Sequence, residues 1–312
     1  MTLGIALAAT NADNYVDAVV AQARSAHELG VGAVWLGQRM DYDSPTLAAI
    51  VGREVPGLQV GTSAIPVIGR HPLLVSSQAQ TAQAATHGRY HLGLALGSAL
   101  VAGAFGTEFE RPITRLREFL TAIRQLLDNE PTEFRGELLT ATPSLPTTVP
   151  GAHPRIPVLV AAMGPQALRV TGELADGALP YLAGPKTLSS QIVPALTRAS
   201  STTPRIVAFV PAVVTADPDR ARATAIERLS FYERVPSYRR VLDLENATRA
   251  ADLAIIGDEG TVAAAIHRYY EAGATEVVLT STDLSTPEDE LRTWSLAGHL
   301  TADRTAPIGG RS

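Results

Sequence analysis

The chain has 312 residues, 46% of them hydrophobic and 18% charged, which predicts a globular protein with a large core and excludes a disordered one. The absence of cysteine excludes disulfides, thiolate zinc sites and a cysteine nucleophile, and the net charge of −5 argues against broad nucleic-acid binding. No apolar run reaches the length of a membrane span and no basic leader precedes the first strand, so we expect a cytoplasmic protein without membrane contact.

Apolar strands alternate with helices along most of the chain, in blocks of roughly 30 residues. Strands are predicted at residues 3–8, 33–36, 58–65, 91–96, 158–161, 178–182, 205–214 and 276–280, and helices at 15–29, 45–52, 73–86, 111–127, from 165 onward, and at 187–199, 217–234, 260–272 and 287–300. Eight strands, each followed by a helix, favour a single α/β domain over residues 1–312, a closed (β/α)8 TIM barrel. An open doubly wound sheet is the alternative, which the missing G-x-G-x-x-G after the first strand weakens.

Two segments interrupt the alternation, and we interpret both as insertions over the mouth of the barrel. Residues 128–157, after the fourth helix, are rich in proline and threonine and contain a strand-like piece at 133–140 that could form a hairpin. Residues 236–258, before the eighth strand, are expected to hold short helices. Residues 301–312 are expected to form a loose tail.

The active site of a barrel lies at the carboxyl ends of its strands, so the residues that follow each strand are the candidates. Arg39, after the second strand, could hold an anionic ring or a carboxylate, or it could be a surface arginine paired with Asp41 or Asp43. His71 opens the third helix, where it could face a substrate or cap the helix and satisfy loop carbonyls. Gly97 and Ser98 follow the fourth strand and offer close approach and a small hydroxyl, or simply a turn and a weak cap.

The fifth strand turns into a helix at Gly164-Pro165. A glycine without a side chain and a proline at the first helical position leave the free N–H groups of the helix exposed, which suits a phosphate. An ordinary turn is the alternative.

The sequence has no H-E-x-x-H and no paired-carboxylate signature, so no metal site is predicted. The mouth of the barrel is predicted to be small and uncharged, which suits a large planar cofactor that brings its own chemistry.

Short stretches at 34–38, 58–66, 70–72, 78–97, 105–106, 111–112, 157–177, 236–239, 256–259 and 272–275 resemble, in order and spacing, the luciferase-like monooxygenase superfamily. The resemblance covers nearly the whole chain and is greatest to the F420-dependent oxidoreductase branch, which uses the deazaflavin coenzyme F420 and is typified by methylenetetrahydromethanopterin reductase. It implies a (β/α)8 barrel with an insertion after the fourth helix and a homodimer paired through helices two and three.

The resemblance also implies the cofactor site. A non-prolyl cis peptide would fall at Ser63–Ala64 behind the deazaflavin ring, and the cofactor phosphate would lie at the helix after the fifth strand. The cofactor-binding residues expected from it are Gln38, Arg39, Thr62, Ser63, Ala64, Gly97, Ser98, Ala161, Ala162, Met163, Gly164, Pro165 and Gln166.

The chain departs from the sugar-phosphate dehydrogenases of the superfamily at two places. Gln38-Arg39 replaces an Asp-His pair after the second strand, and Ser98 stands where those enzymes carry a glutamate. Without a dedicated base, hydride donation from reduced F420 to a small organic substrate is favoured over alcohol oxidation. The catalytic residue stays unassigned, with Ser98, His71 and Tyr42 as candidates for proton delivery.

Two alternatives stay open. One is an FMN-dependent monooxygenase that receives reduced flavin from a partner reductase. The other is a non-catalytic protein that binds F420 or flavin, since the acid–base residues of the dehydrogenases are missing.

Overall fold

The computed structural model describes residues 2–9 and 12–302. The chain divides into two compact units: the described residues of Met1–Trp35, Pro180–Pro194 and Arg205–Ser312 form the first, and Leu36–Leu179 with Ala195–Pro204 form the second. Most of the predicted tail, residues 303–312, lies outside the described residues, whereas Thr301 and Ala302 continue the last helix.

The strands are β1 (Thr2–Leu7), β2 (Ala33–Leu36), β3 (Gln59–Thr62), β4 (Ile65–Pro66), β5 (Tyr90–Ala95), β6 (Phe134–Arg135), β7 (Thr140–Ala141), β8 (Val158–Ala161), β9 (Gly177–Ala178), β10 (Arg205–Val214), β11 (Ile255–Gly257) and β12 (Glu276–Thr280). The α-helices are α1 (Tyr15–Glu28), α2 (Ser44–Glu54), α3 (Pro72–Ala85), α4 (Ala99–Ala104), α5 (Pro112–Leu127), α6 (Pro165–Leu174), α7 (Pro185–Thr187), α8 (Val193–Ala199), α9 (Pro218–Leu229), α10 (Pro236–Glu245), α11 (Glu259–Glu271) and α12 (Pro287–Ala302). A π-helical segment, Leu188–Ile192, joins α7 to α8, and short 3-10 helices cover Ser230–Arg234 and Ala250–Leu253.

The barrel sheet has the order β11, β10, β12, β1, β2, β3, β5, β8, β9, and β9 also pairs with β10. The strand predicted at 58–65 is broken into β3 and β4, which both pair with β5. With β3 and β4 counted as one strand and β11 as an addition at the end of β10, the fold is the predicted (β/α)8 barrel. Its strands are buried along most of their length, as parallel strands covered by helices require.

The core of the first unit lies around β10 and β12. Trp35 packs edge-on against Phe209 with ring centroids 5.4 Å apart, and its indole N–H donates to the Glu276 carboxylate at 3.0 Å. In the second unit, β5 and β8 are covered by α3, α5 and α6, whose inward faces carry the fully buried Leu116, Phe119 and Leu168.

Three features differ from the prediction. Helix α4 was not predicted, because its six residues, Ala99–Ala104, have no polar face to give a helical period. Strand β11 lies inside the insertion predicted at 236–258 and pairs in parallel with β10. The sixth predicted helix, 187–199, is π-helical over its first part, Leu188–Ile192. The hairpin predicted in the insertion at 128–157 is present, as the antiparallel pair β6–β7.

The described residues contain no helix that is long and apolar enough to cross a membrane.

Candidate active site

A cavity of about 530 Å³ opens in the second unit at the carboxyl ends of β4 and β5 and beside the loop that follows β2. Its walls combine small residues at the strand ends, charged residues of the loop and apolar residues of α4 and its surroundings. They are Gln38, Arg39, Met40, Asp41, Tyr42, Asp43, Ala64, Pro66, Arg70, Ala95, Gly97, Val101 and Phe105. The cavity therefore includes five residues predicted from sequence: Gln38, Arg39, Tyr42, Ala64 and Gly97.

Gln38 fixes the loop after β2. Its side-chain amide donates to the Tyr42 carbonyl at 2.6 Å, and its carbonyl oxygen accepts from the Ser44 amide at 3.1 Å and the Ser44 hydroxyl at 2.9 Å. The polar atoms of Gln38 are thus engaged within the loop, which shapes the cavity wall.

Arg39 forms an ion pair with Asp41, which was the alternative to ligand binding stated for it from the sequence. Its guanidinium donates twice to Asp41, with both N–O distances 3.0 Å, and its Cζ lies 6.0 Å from the centre of the Tyr42 ring. Both Arg39 and Asp41 are more than half exposed, so the pair contributes at most about 1 kcal/mol to stability. Its importance lies in charge, because it neutralises one cation of the cavity.

A second ion pair was missed by the sequence analysis. Asp43 caps α2 by accepting from the Thr46 amide at 3.1 Å, and it also accepts from Arg70 and Gln78 at 3.3 Å. Arg70 is mostly buried and lines the cavity. The one signal in the sequence was its place directly before the His71-Pro72 helix start. The cavity thus holds two arginines, each matched by an aspartate.

The break between β3 and β4 contains the expected cis peptide, Ser63–Ala64, so this expectation from the resemblance is confirmed. Ala64 lines the cavity, whereas Thr62 is fully buried and its hydroxyl accepts from the Gly93 amide at 2.9 Å. Gly93 permits the close approach, since a Cβ there would lie 1.9 Å from the Thr62 carbonyl oxygen. The Thr62 side chain therefore serves strand packing, and any cofactor contact at Thr62 would come from its backbone.

Gly97 is required at the end of β5, because its φ of +84° is a conformation that other residues rarely adopt. Ser98 follows it and caps α4, with its hydroxyl oxygen accepting from the Val101 amide at 3.3 Å. That capping bond leaves the hydroxyl proton available to another acceptor.

His71 is a helix cap. Its Nδ1 accepts from the Leu73 amide at 3.2 Å, so Nε2 carries the proton and donates to the Thr140 carbonyl at 2.9 Å. Both ring nitrogens are therefore engaged. This is the role of helix cap and partner of a loop carbonyl that the sequence offered as the alternative to substrate binding. The second bond joins α3 to the hairpin of the 128–157 insertion.

The turn after β8 has the geometry of an anion site. Gly164 is the N-cap of α6 in extended conformation, Pro165 follows it, and α6 receives no capping hydrogen bond from a described side chain. A Cβ at Gly164 would meet nothing within 4 Å, so space is open above the helix N-terminus, where the dipole favours negative charge. Ala161 lies opposite Ala95 in the sheet, and this turn therefore begins one strand away from the cavity wall.

The remaining predicted positions, Ala162, Met163 and Gln166, lie in the same turn, with Ala162 buried and Gln166 exposed. Within residues 2–9 and 12–302, no group of three or more His, Cys, Asp or Glu residues could hold a metal ion.

Comparison with known proteins gives the family. Residues 1–276 match the model of the luciferase-like monooxygenase family. A Mycobacterium tuberculosis protein named as a coenzyme F420-dependent oxidoreductase is 29% identical over 206 residues, which is 60% of this chain and 57% of that protein. The F420-dependent glucose-6-phosphate dehydrogenase of Kineococcus radiotolerans is 26% identical over 286 residues, covering 81% of this chain and 83% of that enzyme.

Among solved structures, the F420-dependent tetrahydromethanopterin reductase of Methanopyrus kandleri superposes with a TM-score of 0.75 over 95% of this chain and 97% of that one. Its sequence identity is 21%, so the likeness concerns the fold. The family match, which extends over most of the chain, is independent of that superposition. The chain belongs to the luciferase-like monooxygenase family.

Proposed function

We propose that the protein is an oxidoreductase that binds coenzyme F420 and transfers a hydride between C5 of the deazaflavin and a small organic substrate, working as an F420H2-dependent reductase. Family membership and the names of the two relatives support a deazaflavin. The observation that carries the proposal is the pairing of a cavity walled by Ala64, Ala95 and Gly97 with an uncapped helix N-terminus beside it.

The residues present fit this cofactor. The cavity volume of about 530 Å³ lies within the range of small-molecule sites, and small side chains at the strand ends leave a flat floor for a planar ring. The α6 N-terminus suits a phosphate, and the open space at Gly164 admits it. In this assignment Ala64 and Gly97 contact the ring, while the backbone at Met163–Gln166 holds the phosphate.

When bound, F420H2 supplies a hydride, so the chain's own residues have to position the substrate and deliver a proton. Tyr42 lines the cavity, and Ser98 keeps a free hydroxyl proton, which makes these two the preferred proton donors. His71 is the weaker candidate because its Nε2 proton is donated to the Thr140 carbonyl. The loop held by Gln38 and Asp43 would form the wall that excludes water from the reacting atoms.

The cavity favours an uncharged substrate. Both arginines in its wall are paired with aspartates, so no net positive charge is left to attract a sugar phosphate. Met40 and Phe105 are 68% and 43% exposed and lie on its rim with Val101. An exposed apolar rim of this kind marks a surface that a hydrophobic ligand would cover. We therefore propose an apolar enone, imine or nitro compound as acceptor.

Titration of the protein with F420, followed by cofactor fluorescence, tests binding, and quenching at micromolar concentration is expected. F420H2 oxidation is then measured against a panel of enones, imines and nitro compounds, with turnover expected for at least one neutral acceptor. Oxygen uptake with reduced FMN, in the absence of F420 quenching, would instead support the two-component monooxygenase. Tight F420 binding without turnover of any acceptor would identify a non-catalytic binding protein.

We also propose a homodimer that pairs through α2 and α3. Leu74 on α3 is 66% exposed, and pairing through this helix would remove it from water. Light scattering that gave a monomer would contradict this assignment.

A further inference from the structure

A second cleft, of about 670 Å³, lies in the first unit and shares no residue with the proposed cofactor cavity. Its walls come from the segment that opens α7, the carboxyl end of α10, strand β11 and helix α11. It contains two acidic residues, Glu245 and Asp252, and two basic ones, Lys186 and Arg268. The acidic side chains accept hydrogen bonds from the protein, whereas the basic side chains do not pair with any of the described residues.

The acidic side chains are engaged by the protein itself. Glu245 accepts from the Thr187 amide at 2.6 Å, and a Cβ on Gly184 would lie 2.4 Å from the same carboxyl group. Asp252 accepts from the Thr248 and Arg249 amides, both at 2.9 Å. These contacts hold the backbone around the cleft in place and satisfy part of each carboxylate.

The basic side chains are not engaged. Within residues 2–9 and 12–302, Lys186 and Arg268 take part in no ion pair and no side-chain hydrogen bond. Lys186 is also the only lysine in the sequence. By contrast, the two arginines of the cofactor cavity are both paired with aspartates.

Tyr269 adds a hydrogen-bond donor to the wall of the cleft. Its side chain lines the cleft, is only 4% exposed and makes no hydrogen bond with any residue that the structure describes. Burial raises the pKa of Tyr269, and the Glu245 carboxylate raises it further against the opposing effect of Arg268, so the hydroxyl keeps its proton at neutral pH. Most of the side chain is buried, but its oxygen reaches the open cleft, where it can donate a hydrogen bond to a ligand.

The rest of the cleft supplies an apolar wall and an irregular helix. Leu253, Ile255, Ile256 and Ala265 line it beside the charged residues. The π-helical segment Leu188–Ile192 begins two residues after Lys186. Such π-helical turns are rare and occur frequently at functional sites.

We propose that this cleft binds a small organic anion, whose carboxylate or sulfonate group contacts Lys186 and Arg268, whose acceptor atom receives the Tyr269 hydroxyl proton, and whose apolar body lies against Ile255 and Ile256. The chemistry is that of an amphiphilic anion with one charged group and an aromatic or aliphatic body. A cation would meet two carboxylates that are already partly satisfied. Lys186 and Arg268 are both exposed, and a neutral ligand would gain nothing from their charge.

The probe is 1-anilinonaphthalene-8-sulfonate, with N-phenyl-1-naphthylamine as the matched neutral probe that lacks the sulfonate. Calorimetric titration of the full chain is expected to give a single sulfonate site. The double variant Lys186→Ala/Arg268→Ala is expected to bind the sulfonate at least tenfold more weakly, and Tyr269→Phe about twofold to fivefold more weakly. Arg222→Ala removes an exposed arginine outside the cleft and is expected to change the affinity less than twofold.

The neutral probe tests whether the loss of affinity comes from the charge of the sulfonate. We expect it to bind wild type and the double variant with the same affinity. Ala254→Trp fills the cleft and is expected to abolish binding of the sulfonate, with circular dichroism showing that the variant still folds. The proposal is overturned if wild type binds no sulfonate, if the double variant binds it as wild type does, or if both probes lose affinity equally.

Discussion

The two ends of strand β8 are built differently. At the amino end, Asp176 accepts hydrogen bonds from Arg124, from Arg155 at 2.7 Å and from the Val158 amide at 2.6 Å. Burial by itself would raise the pKa of Asp176, but the two arginines and the amide outweigh it and lower the pKa. The carboxylate thereby joins α5 and the segment before β8 to the strand.

At the carboxyl end, the same strand runs into a turn without charged residues, Ala161 to Pro165, and α6 begins with no side-chain cap from the described residues. The first backbone N–H groups of α6 therefore stay available to a ligand. The comparison teaches that ion pairs at the amino end stabilise the barrel, whereas the bare carboxyl end is available for a ligand. Changes at the two ends should therefore separate stability from binding.

The largest effect is expected from Ala95→Trp, at the cavity wall. An indole at this position would occupy the space proposed for the deazaflavin ring, and F420 affinity should fall at least 100-fold, or about 2.7 kcal/mol. Fluorescence titration measures the affinity, and thermal unfolding shows that the fold is retained. Leu100→Trp is the matched control, because Leu100 is 73% exposed and does not line the cavity. Equal F420 affinity in both variants would place the cofactor elsewhere.

Asp176→Asn tests the amino end of β8. This variant leaves Arg124, whose side chain is 12% exposed, without its counter-charge. We therefore expect the free energy of unfolding to fall by about 2–3 kcal/mol. Urea denaturation gives the free energy of unfolding, while F420 affinity should change less than twofold.

The chain provides a control for that prediction. Glu173 also pairs with two arginines, Arg117 and Arg169, but these are 42% and 74% exposed. Glu173→Gln should therefore cost less than about 1 kcal/mol. If the two variants are equally stable, the contrast between buried and exposed networks is wrong for this protein.

How far the sequence predicts this molecule depends on the range of the interaction. Strands β2, β10 and β12 have the bounds predicted from the sequence, because burial on both faces leaves a nearly continuous apolar run. The break between β3 and β4 has no such signal. The cis peptide at Ser63–Ala64 within it was expected only from the family resemblance, since it changes neither hydrophobicity nor periodicity.

The roles of individual side chains were harder to predict from the sequence. For Arg39 and His71 the sequence left open both a local structural role and a ligand-binding one, and the structure shows the ion pair with Asp41 and the helix cap. Arg70 and Asp43 are 27 residues apart, and only the fold shows that they pair at the cavity. Lys186 and Arg268 are further apart still, and no local pattern connects them.

A smaller effect is expected from the charge balance of the cavity. Asp41→Asn leaves Arg39 without that carboxylate, so the cavity becomes positively charged. We expect kcat/KM for a carboxylated acceptor to rise about threefold to tenfold relative to its neutral analogue, because the pair is exposed and partly screened. Steady-state kinetics with both acceptors measures the ratio. Asp219→Asn, which opens an exposed ion pair with Arg222 outside the cavity, should leave the ratio unchanged.

The smallest effect is a difference in pH dependence between two carboxylates, Asp176 and Glu276. The pKa of Asp176 is lowered on folding, as described above, so its stabilisation is complete above its ordinary pKa of about 4 and is lost as pH falls through the folded value. Burial raises the pKa of Glu276, in spite of Arg205 and the Trp35 indole, so this group favours folding at low pH and loses that contribution as pH rises above its ordinary range.

The two isosteric variants should consequently move in opposite directions in urea denaturation between pH 3 and pH 7. The deficit of Asp176→Asn relative to wild type should grow as pH rises, because only the wild type gains the ionised carboxylate beside Arg124. The deficit of Glu276→Gln should shrink over the same range, because the variant escapes the cost of ionising a group that is 4% exposed. Parallel curves for the two variants would mean that burial and ion pairing do not set these pKa values in opposite directions. The assignment of the two carboxylates to different electrostatic environments would then have to be abandoned.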